Sequence, residues 1–183
     1  TLLVYRQLVS LEGGYLKDKY EELYETTMKH RDNKNIIIRK EIYAIIPVLA
    51  AFDPKLFTQK YLDATMIHYL TLLKNMTSHQ IALSDKGPIL VSIGDIAYHV
   101  GSEIGPYLDA IVENLRDGLE TKFKTRKEFE KDIFYCVSKL ACAVRPLLAK
   151  YLNRGLLDAL LACPLSDHMQ ETLLVICEKI PSM

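Results

Sequence analysis

A Tyr-Leu pair that recurs at nearly constant spacing constrains the fold of this chain more than any other feature. The pairs begin at Tyr15, Tyr61, Tyr107 and Tyr151, so consecutive pairs are 46, 46 and 44 residues apart. A second landmark is an alanine ten residues before a pair, and it occurs at Ala51, Ala97 and Ala141. Two landmarks with one fixed offset indicate an internal repeat, which determines the architecture of a chain.

Each repeat is predicted to contain two helices. In the helix opened by a Tyr-Leu pair, apolar residues fall at the spacing of a single buried helical face. One example is Leu62, Met66, Tyr69, Leu70 and Leu73. The second helix has a wider apolar face, as in Ile89, Leu90, Ile93, Ile96, Ala97 and Val100. A wide apolar face is expected on a helix packed between neighbouring repeats, where a small alanine permits close approach.

The period and the turn signals together predict an all-α solenoid of HEAT type. Helix pairs of about 40 to 47 residues are typical of HEAT and armadillo proteins. Asp53-Pro54, Gly105-Pro106 and Pro146 are predicted to lie between units. The chain then divides into the end of a preceding repeat (1–13) and four HEAT repeats (14–54, 55–104, 105–146 and 147–183). All five pieces are expected to form one solenoid segment of a larger protein.

HEAT units tend to carry an aspartate in the turn and an arginine early in the second helix. Asp32 and Arg39 are candidates for that pair in the first unit, and the later units lack the arginine. Ser84, Asp85 and Asp167 are candidates for helix N-caps, because a short polar side chain can accept a hydrogen bond from a free amide there.

Charge and cysteine content exclude several classes of function. Lys plus Arg and Asp plus Glu both number 23, which gives a formal net charge of zero and argues against a nucleic-acid-binding surface. Apolar stretches are too short to span a bilayer. The cysteines form no C-x-x-C pair and lie in apolar helical patterns, so they are expected to be reduced and buried. They are Cys136, Cys142, Cys163 and Cys177.

No catalytic or metal-binding constellation is apparent. His30-Arg31-Asp32 matches the start of a protein-kinase catalytic loop, but that loop also needs an asparagine five residues after the aspartate, where this chain has Ile37. The tripeptide is therefore interpreted as a charged turn between two helices. The other histidines are not paired at the spacings of a zinc site. We expect no catalytic residue, no metal and no cofactor in this segment.

The most basic stretch of the chain is the candidate partner-binding site. Its cations are Lys122, Lys124, Arg126 and Lys127, and acidic residues lie on both sides of it. A solvated loop between helices explains the composition, and a docking patch for an acidic partner is the alternative.

Several stretches of the chain closely resemble the N-terminal HEAT region of target of rapamycin kinases. They are residues 31–38, 45–52, 59–66, 100–103, 106–108, 136–141 and 156–160. The resemblance is collinear over roughly residues 20 to 180. It is weakest at residues 78–88 and 122–131, so family details are not carried onto those stretches.

The resemblance implies a large cytoplasmic serine/threonine kinase, with peripheral association at endomembranes within the full complex. In that family the kinase domain, with its ATP and magnesium, lies at the far C-terminal end. The N-terminal solenoid is a scaffold that contacts a second protomer and accessory subunits such as Raptor, in nutrient-responsive growth control. None of the family's catalytic or rapamycin-binding residues falls in this chain. The alternative is an independent HEAT adaptor, of the transport-receptor or phosphatase-scaffold type, that binds protein ligands.

Overall fold

The computed structural model describes residues 17–75, 83–120, 127 and 129–181. Within these ranges the chain is helical and contains no β-strand, so the all-α prediction is confirmed. Nine α-helices are present in the described ranges: α1 (Tyr20–Lys29), α2 (Ile36–Phe52), α3 (Pro54–Lys60), α4 (Leu62–Asn75), α5 (Lys86–Val100), α6 (Leu108–Glu120), α7 (Glu130–Tyr151), α8 (Leu157–Leu161) and α9 (Asp167–Lys179).

The helices form successive hairpins that stack on one another, consistent with a solenoid. The hairpins are α1/α2, α4/α5, α6/α7 and α8/α9, and we call α2, α5, α7 and α9 the second-helix layer. Each helix of this layer packs against the next one along the chain, and these are the most extensive helix contacts in the described structure. The core is therefore continuous from one hairpin to the next, as expected for repeats that bury their apolar faces against neighbours.

Gly94 permits the close packing of α5 against α7. A Cβ atom added at Gly94 would lie 3.1 Å from the Cα of Cys136 and 3.3 Å from the Cβ of Lys139. The first of these neighbours is backbone, which cannot rotate away. The absence of a side chain at Gly94 therefore sets how closely these two helices approach.

Local capping agrees only partly with the sequence prediction. The side chain of Asp53 accepts a hydrogen bond from the Leu56 amide at 2.9 Å and starts α3, with Pro54 as its first residue. Asp85 occupies the N-cap position of α5 but makes no capping hydrogen bond. The cap of α9 is Ser166, which accepts from the amide of Met169 at 3.2 Å. The predicted cap, Asp167, is instead the first residue inside that helix.

The three connections between hairpins differ in form. Residues 54–60 form the short helix α3, whereas Gly101–Tyr107 form a 3₁₀ helix that begins with a positive φ of 62° at Gly101. At Pro146 no loop interrupts the chain: α7 continues to Tyr151 and leads into a π-helical turn, Leu152–Leu156. The break in α7 is at Val144, with φ −124° and ψ 21°, because proline removes a backbone donor and crowds the preceding turn. The numbered repeat boundaries remain a prediction.

The alanine landmarks are not equivalent in the structure. Ala97 and Ala141 are completely buried, whereas Ala51 is exposed and its neighbour Ala50 is buried. The buried face of α2 is therefore shifted by one residue relative to α5 and α7. A fixed offset in sequence does not guarantee the same helical phase where the helices end in different connections.

The Tyr-Leu landmark has a defined structural role on the other side of the stack. The hydroxyl of Tyr107 donates to Oδ1 of Asp63 at 2.9 Å, and the side chain of Tyr151 hydrogen-bonds to Asp109. In both cases the tyrosine of one pair binds the aspartate that follows the preceding pair. Burial and the hydrogen bond to Asp63 raise the pKa of Tyr107 to about 12. These contacts form rungs between successive hairpins.

Among the described residues the Tyr61 hydroxyl has no equivalent partner, and Lys17 follows the first Tyr-Leu pair in place of an aspartate. Its ring instead packs against the rings of Tyr20 and Tyr24, with centroids 5.7 and 4.1 Å away. The hydroxyl of Tyr24 hydrogen-bonds to Oγ1 of Thr65 at 2.9 Å. Aromatic contacts therefore join the first two hairpins where the tyrosine–aspartate rung is missing.

A double-mutant cycle measures one rung. Tyr107→Phe and Asp63→Ala are each expected to lower the free energy of unfolding, with a coupling of about 0.5–1.5 kcal/mol, the usual net value of a hydrogen bond. Urea denaturation of the chain gives the four stabilities. Tyr98→Phe is the matched control, because Tyr98 is exposed and keeps its ring contacts. Additive effects of the two substitutions would show that the rung contributes nothing to stability.

Candidate functional site

The most enclosed charged group in the described structure is an ion pair between the first two hairpins. Nη2 of Arg39 lies 2.7 Å from Oδ2 of Asp85, and Nε of Arg39 donates to the same oxygen at 2.8 Å. The side chain of Asp85 is completely buried and that of Arg39 is 16% exposed. Nη1 of Arg39 also donates to the carbonyl oxygens of Asn33 and Lys34. One guanidinium thus joins α2, the preceding turn and the start of α5.

Asp32 and Arg39, the candidates for the HEAT aspartate and arginine of the first unit, do not form an ion pair with each other. Asp32 is exposed, and its carboxylate is 3.4 Å from Nε of Arg31. The arginine reaches across to the next hairpin instead. Its true partner lies 46 residues further on, which is one repeat period, and that spacing was the signal in the sequence.

The ion pair is suited to holding the hairpins together and not to chemistry. Asp85 has no exposed surface through which a substrate could reach it, and its Oδ1 atom makes no hydrogen bond within the described residues. Burial and the neighbouring Asp85 raise the pKa of Tyr43 to about 12, so this hydroxyl stays protonated at neutral pH. The charges are placed to lock one arrangement of α2 and α5.

A second polar cluster joins α5 and α7 at the surface of the second-helix layer. The hydroxyl of Tyr135 donates to Oδ1 of Asp95 at 2.6 Å, and Nζ of Lys139 lies 3.6 Å from the same oxygen. The ammonium of Lys139 also lies 4.5 Å from the ring centroid of Tyr98 and 5.2 Å from that of Tyr135. Cation–π contacts of this kind are worth about 0.5–1 kcal/mol at exposed sites. Asp95 is thus already engaged by two groups of the protein.

Most of the predicted basic patch falls outside the described residues. Lys122, Lys124 and Arg126 are not among them, and Lys127 is exposed. The docking patch therefore remains a prediction.

The kinase-like tripeptide lies in a turn. His30, Arg31 and Asp32 connect α1 to α2, and all three side chains are exposed. The amide of His30 donates to the carbonyl of Thr27, and that of Arg31 to the carbonyl of Met28, so the turn closes the end of α1. The interpretation as a charged interhelical turn agrees with this geometry.

The described histidines and cysteines are not gathered into a metal site. Within residues 17–75, 83–120 and 129–181, no three His, Cys, Asp or Glu side chains are arranged to hold a metal ion. Nε2 of His68 is buried without a hydrogen bond to a described residue, and burial lowers the pKa of this imidazole.

The four cysteines, all of them described residues, form no disulfide with one another, and they are not all buried. Cys136 and Cys163 are buried and Cys142 is half-buried, whereas Cys177 is exposed, which corrects the prediction for that residue. Burial raises the pKa of the Cys136 thiol and makes it unreactive. Among the described helices none has the length and apolar character needed to cross a membrane.

Comparison with known proteins identifies relatives over the whole chain. It is 59% identical over 183 residues to serine/threonine-protein kinase TOR2 of Saccharomyces cerevisiae, which covers all of this chain and 7% of that protein. It is 31% identical to serine/threonine-protein kinase tor1 of Schizosaccharomyces pombe and 27% identical to serine/threonine-protein kinase TOR of Oryza sativa subsp. japonica, covering 8% and 7% of them. The chain thus spans less than a tenth of the length of these relatives. No protein-family model matches it.

Proposed function

Because this chain is similar to target of rapamycin kinases along its entire length, we propose that it is a non-catalytic scaffold segment of a kinase of this type. The predicted resemblance to these kinases is confirmed by the relatives. The segment would support complex assembly and the binding of accessory subunits in nutrient-responsive growth control. One observation carries this proposal. All 183 residues of this chain align with a portion that makes up 7% of TOR2 and 8% of tor1.

The architecture supports a scaffold role. Rigidity comes from the second-helix layer and from polar contacts that join one hairpin to the next. Examples are the Arg39–Asp85 ion pair and the Tyr107–Asp63 rung. A stack of this kind offers long surfaces to protein partners while each unit depends on its neighbours for stability. The partners we propose are a Raptor-like subunit and a second protomer of the kinase. ATP and magnesium would bind only in a distant kinase domain.

Two measurements on the full-length protein distinguish a scaffold role of this segment from a catalytic one. We expect charge reversal at Lys122, Lys124, Arg126 and Lys127 to reduce recovery of accessory subunits on co-purification. The rate of phosphorylation of a short peptide substrate should stay within about twofold, because none of these groups would touch the reacting atoms. The matched control reverses Lys55, Lys60 and Lys150, which are exposed elsewhere.

Two results would count against this proposal. Full subunit recovery in the charge-reversed protein would remove the basic patch as a docking site. A full-length sequence without a kinase domain would favour the alternative, an independent adaptor that binds protein ligands.

A further inference from the structure

An open cleft of about 770 Å³ crosses the second-helix layer, between α2, α5 and the first turn of α7. Apolar side chains contributed by α2 and α5 form its floor, which we define as Ala44, Pro47, Val48, Pro88 and Val91. The cleft has the volume of a typical ligand pocket, about 300–1,000 Å³, but it is a trough and not an enclosed cavity. A small molecule would remain largely exposed in such a trough, which suits an extended chain better.

The rim of the cleft presents two cations to solvent. Lys40 on α2 and Lys131 on α7 both line it, and both side chains are exposed. They come from hairpins separated by a complete repeat, and the stacking of helices brings them to one opening. Neither forms an ion pair with a carboxylate within 4 Å among the described residues.

The cleft is also lined by two carboxylates, those of Asp95 and Asp132. Both already lie against other groups of the protein. Asp95 accepts the Tyr135 hydroxyl and faces the Lys139 ammonium, as described above. Asp132 is half-buried, and its carboxylate fills the space beside α5 that is open because Gly87 has no side chain. Burial raises the pKa of Asp132, and Lys131, His168 and Lys40 oppose that rise. The two lysines of the cleft are thus more exposed than its two carboxylates.

We propose that this cleft binds an extended acidic peptide segment of a partner protein. An apolar side chain of the segment packs on the floor, and carboxylates on either side of it pair with Lys40 and Lys131. The choice of an acidic segment follows from charge complementarity with the rim. The proposal rests on the scaffold function and gives the chemistry of one partner contact.

Fluorescence anisotropy on the full-length protein tests this proposal. The probe is a fluorescein-labelled ten-residue peptide of alternating glutamate and leucine, and its counterpart has lysine in place of glutamate. We expect the acidic peptide to bind and the basic one not to bind. Lys40→Glu and Lys131→Glu are each expected to weaken binding about tenfold, and Lys40→Gln by less, since it removes a charge without reversing it. Rising salt should weaken binding because the contacts are exposed.

Lys150→Glu is the matched control, because Lys150 is also an exposed lysine and lies outside the cleft. It is expected to leave the affinity unchanged within about twofold. Equal binding of the acidic and basic peptides would overturn the proposal, as would unchanged affinity in both glutamate variants. Binding of phosphatidylserine vesicles that depends on Lys40 and Lys131, without peptide binding, would assign the cleft to a membrane surface and would also overturn it.

Recovery of accessory subunits, measured on the same preparations, separates this proposal from the scaffold function. Subunits recovered without peptide binding would overturn the cleft and leave the scaffold role intact. Peptide binding without any associated subunit would support the cleft and contradict the scaffold role. Circular dichroism of each variant verifies the fold, which we expect to be unchanged because both lysines are at the surface.

Discussion

Replacing Arg39 with alanine is expected to lower the free energy of unfolding by about 3–5 kcal/mol. The substitution leaves the Asp85 carboxylate completely buried with no cation to compensate it. It also removes the donors to the carbonyl oxygens of Asn33 and Lys34. The cost comes mainly from the stranded charge, since a buried pair by itself contributes little net stability. Urea denaturation of the chain, followed by circular dichroism at 222 nm, measures the change.

Arg31→Ala is the matched control, since it removes the same side chain eight residues earlier. Arg31 is exposed, and its guanidinium pairs with the exposed carboxylate of Asp32 at 3.4 Å in the turn, so its loss should cost at most about 1 kcal/mol. A double variant, Arg39→Met with Asp85→Leu, should recover much of the stability lost by Arg39→Ala, because no charge remains buried. Equal losses for Arg39→Ala and Arg31→Ala would contradict the assignment of the ion pair.

Ala97→Asp is expected to destabilise the chain by about 4 kcal/mol or more. Ala97 is completely buried in α5, so the new carboxylate would lie within the packed second-helix layer without a partner. A protonated carboxyl would still be larger than the methyl group it replaces and would strain the packing. Thermal melting followed by circular dichroism should show a large fall in Tm or the loss of a cooperative transition.

The repeat supplies the control for this prediction. Ala51 lies 46 residues before Ala97, at the same place in the sequence pattern, but it is exposed. Ala51→Asp should therefore change the free energy of unfolding by no more than about 0.5 kcal/mol. Similar losses for both variants would mean that the observed phase of α2 is incorrect, and a wild-type melting curve for Ala97→Asp would contradict the packing of α5.

The sequence predicted the hairpins well because apolar periodicity and the repeat are local or regularly spaced signals. The buried faces of α4 and α5 contain the residues expected from helical spacing, such as Leu62 and Ile93. The position of the alanine landmark did not predict which residues of α2 are buried. That depends on the connection that follows the helix. That helix ends at Phe52 and Asp53 caps the short helix α3, whereas α5 ends at Val100 with Gly101 as its C-cap.

Contacts between hairpins were the part that sequence reasoning missed. Arg39 was predicted only as the arginine of a HEAT unit, because its pairing with Asp85 requires knowing that the start of α5 stacks beside α2. The cleft was missed for the same reason. Lys40 and Lys131 are far apart in the chain and look like ordinary solvated residues until the second-helix layer brings them to one opening.

Cross-linking mass spectrometry on the full-length complex, using a lysine-reactive reagent, tests the account most directly. The stacked hairpins predict an intrachain cross-link between Lys40 and Lys131, and the scaffold role predicts cross-links from Lys122, Lys124 or Lys127 to an accessory subunit or a second protomer. The contrary result would be lysines of this segment that react with the reagent yet link only to neighbours along their own helices. That outcome would contradict both the stacking and the scaffold function.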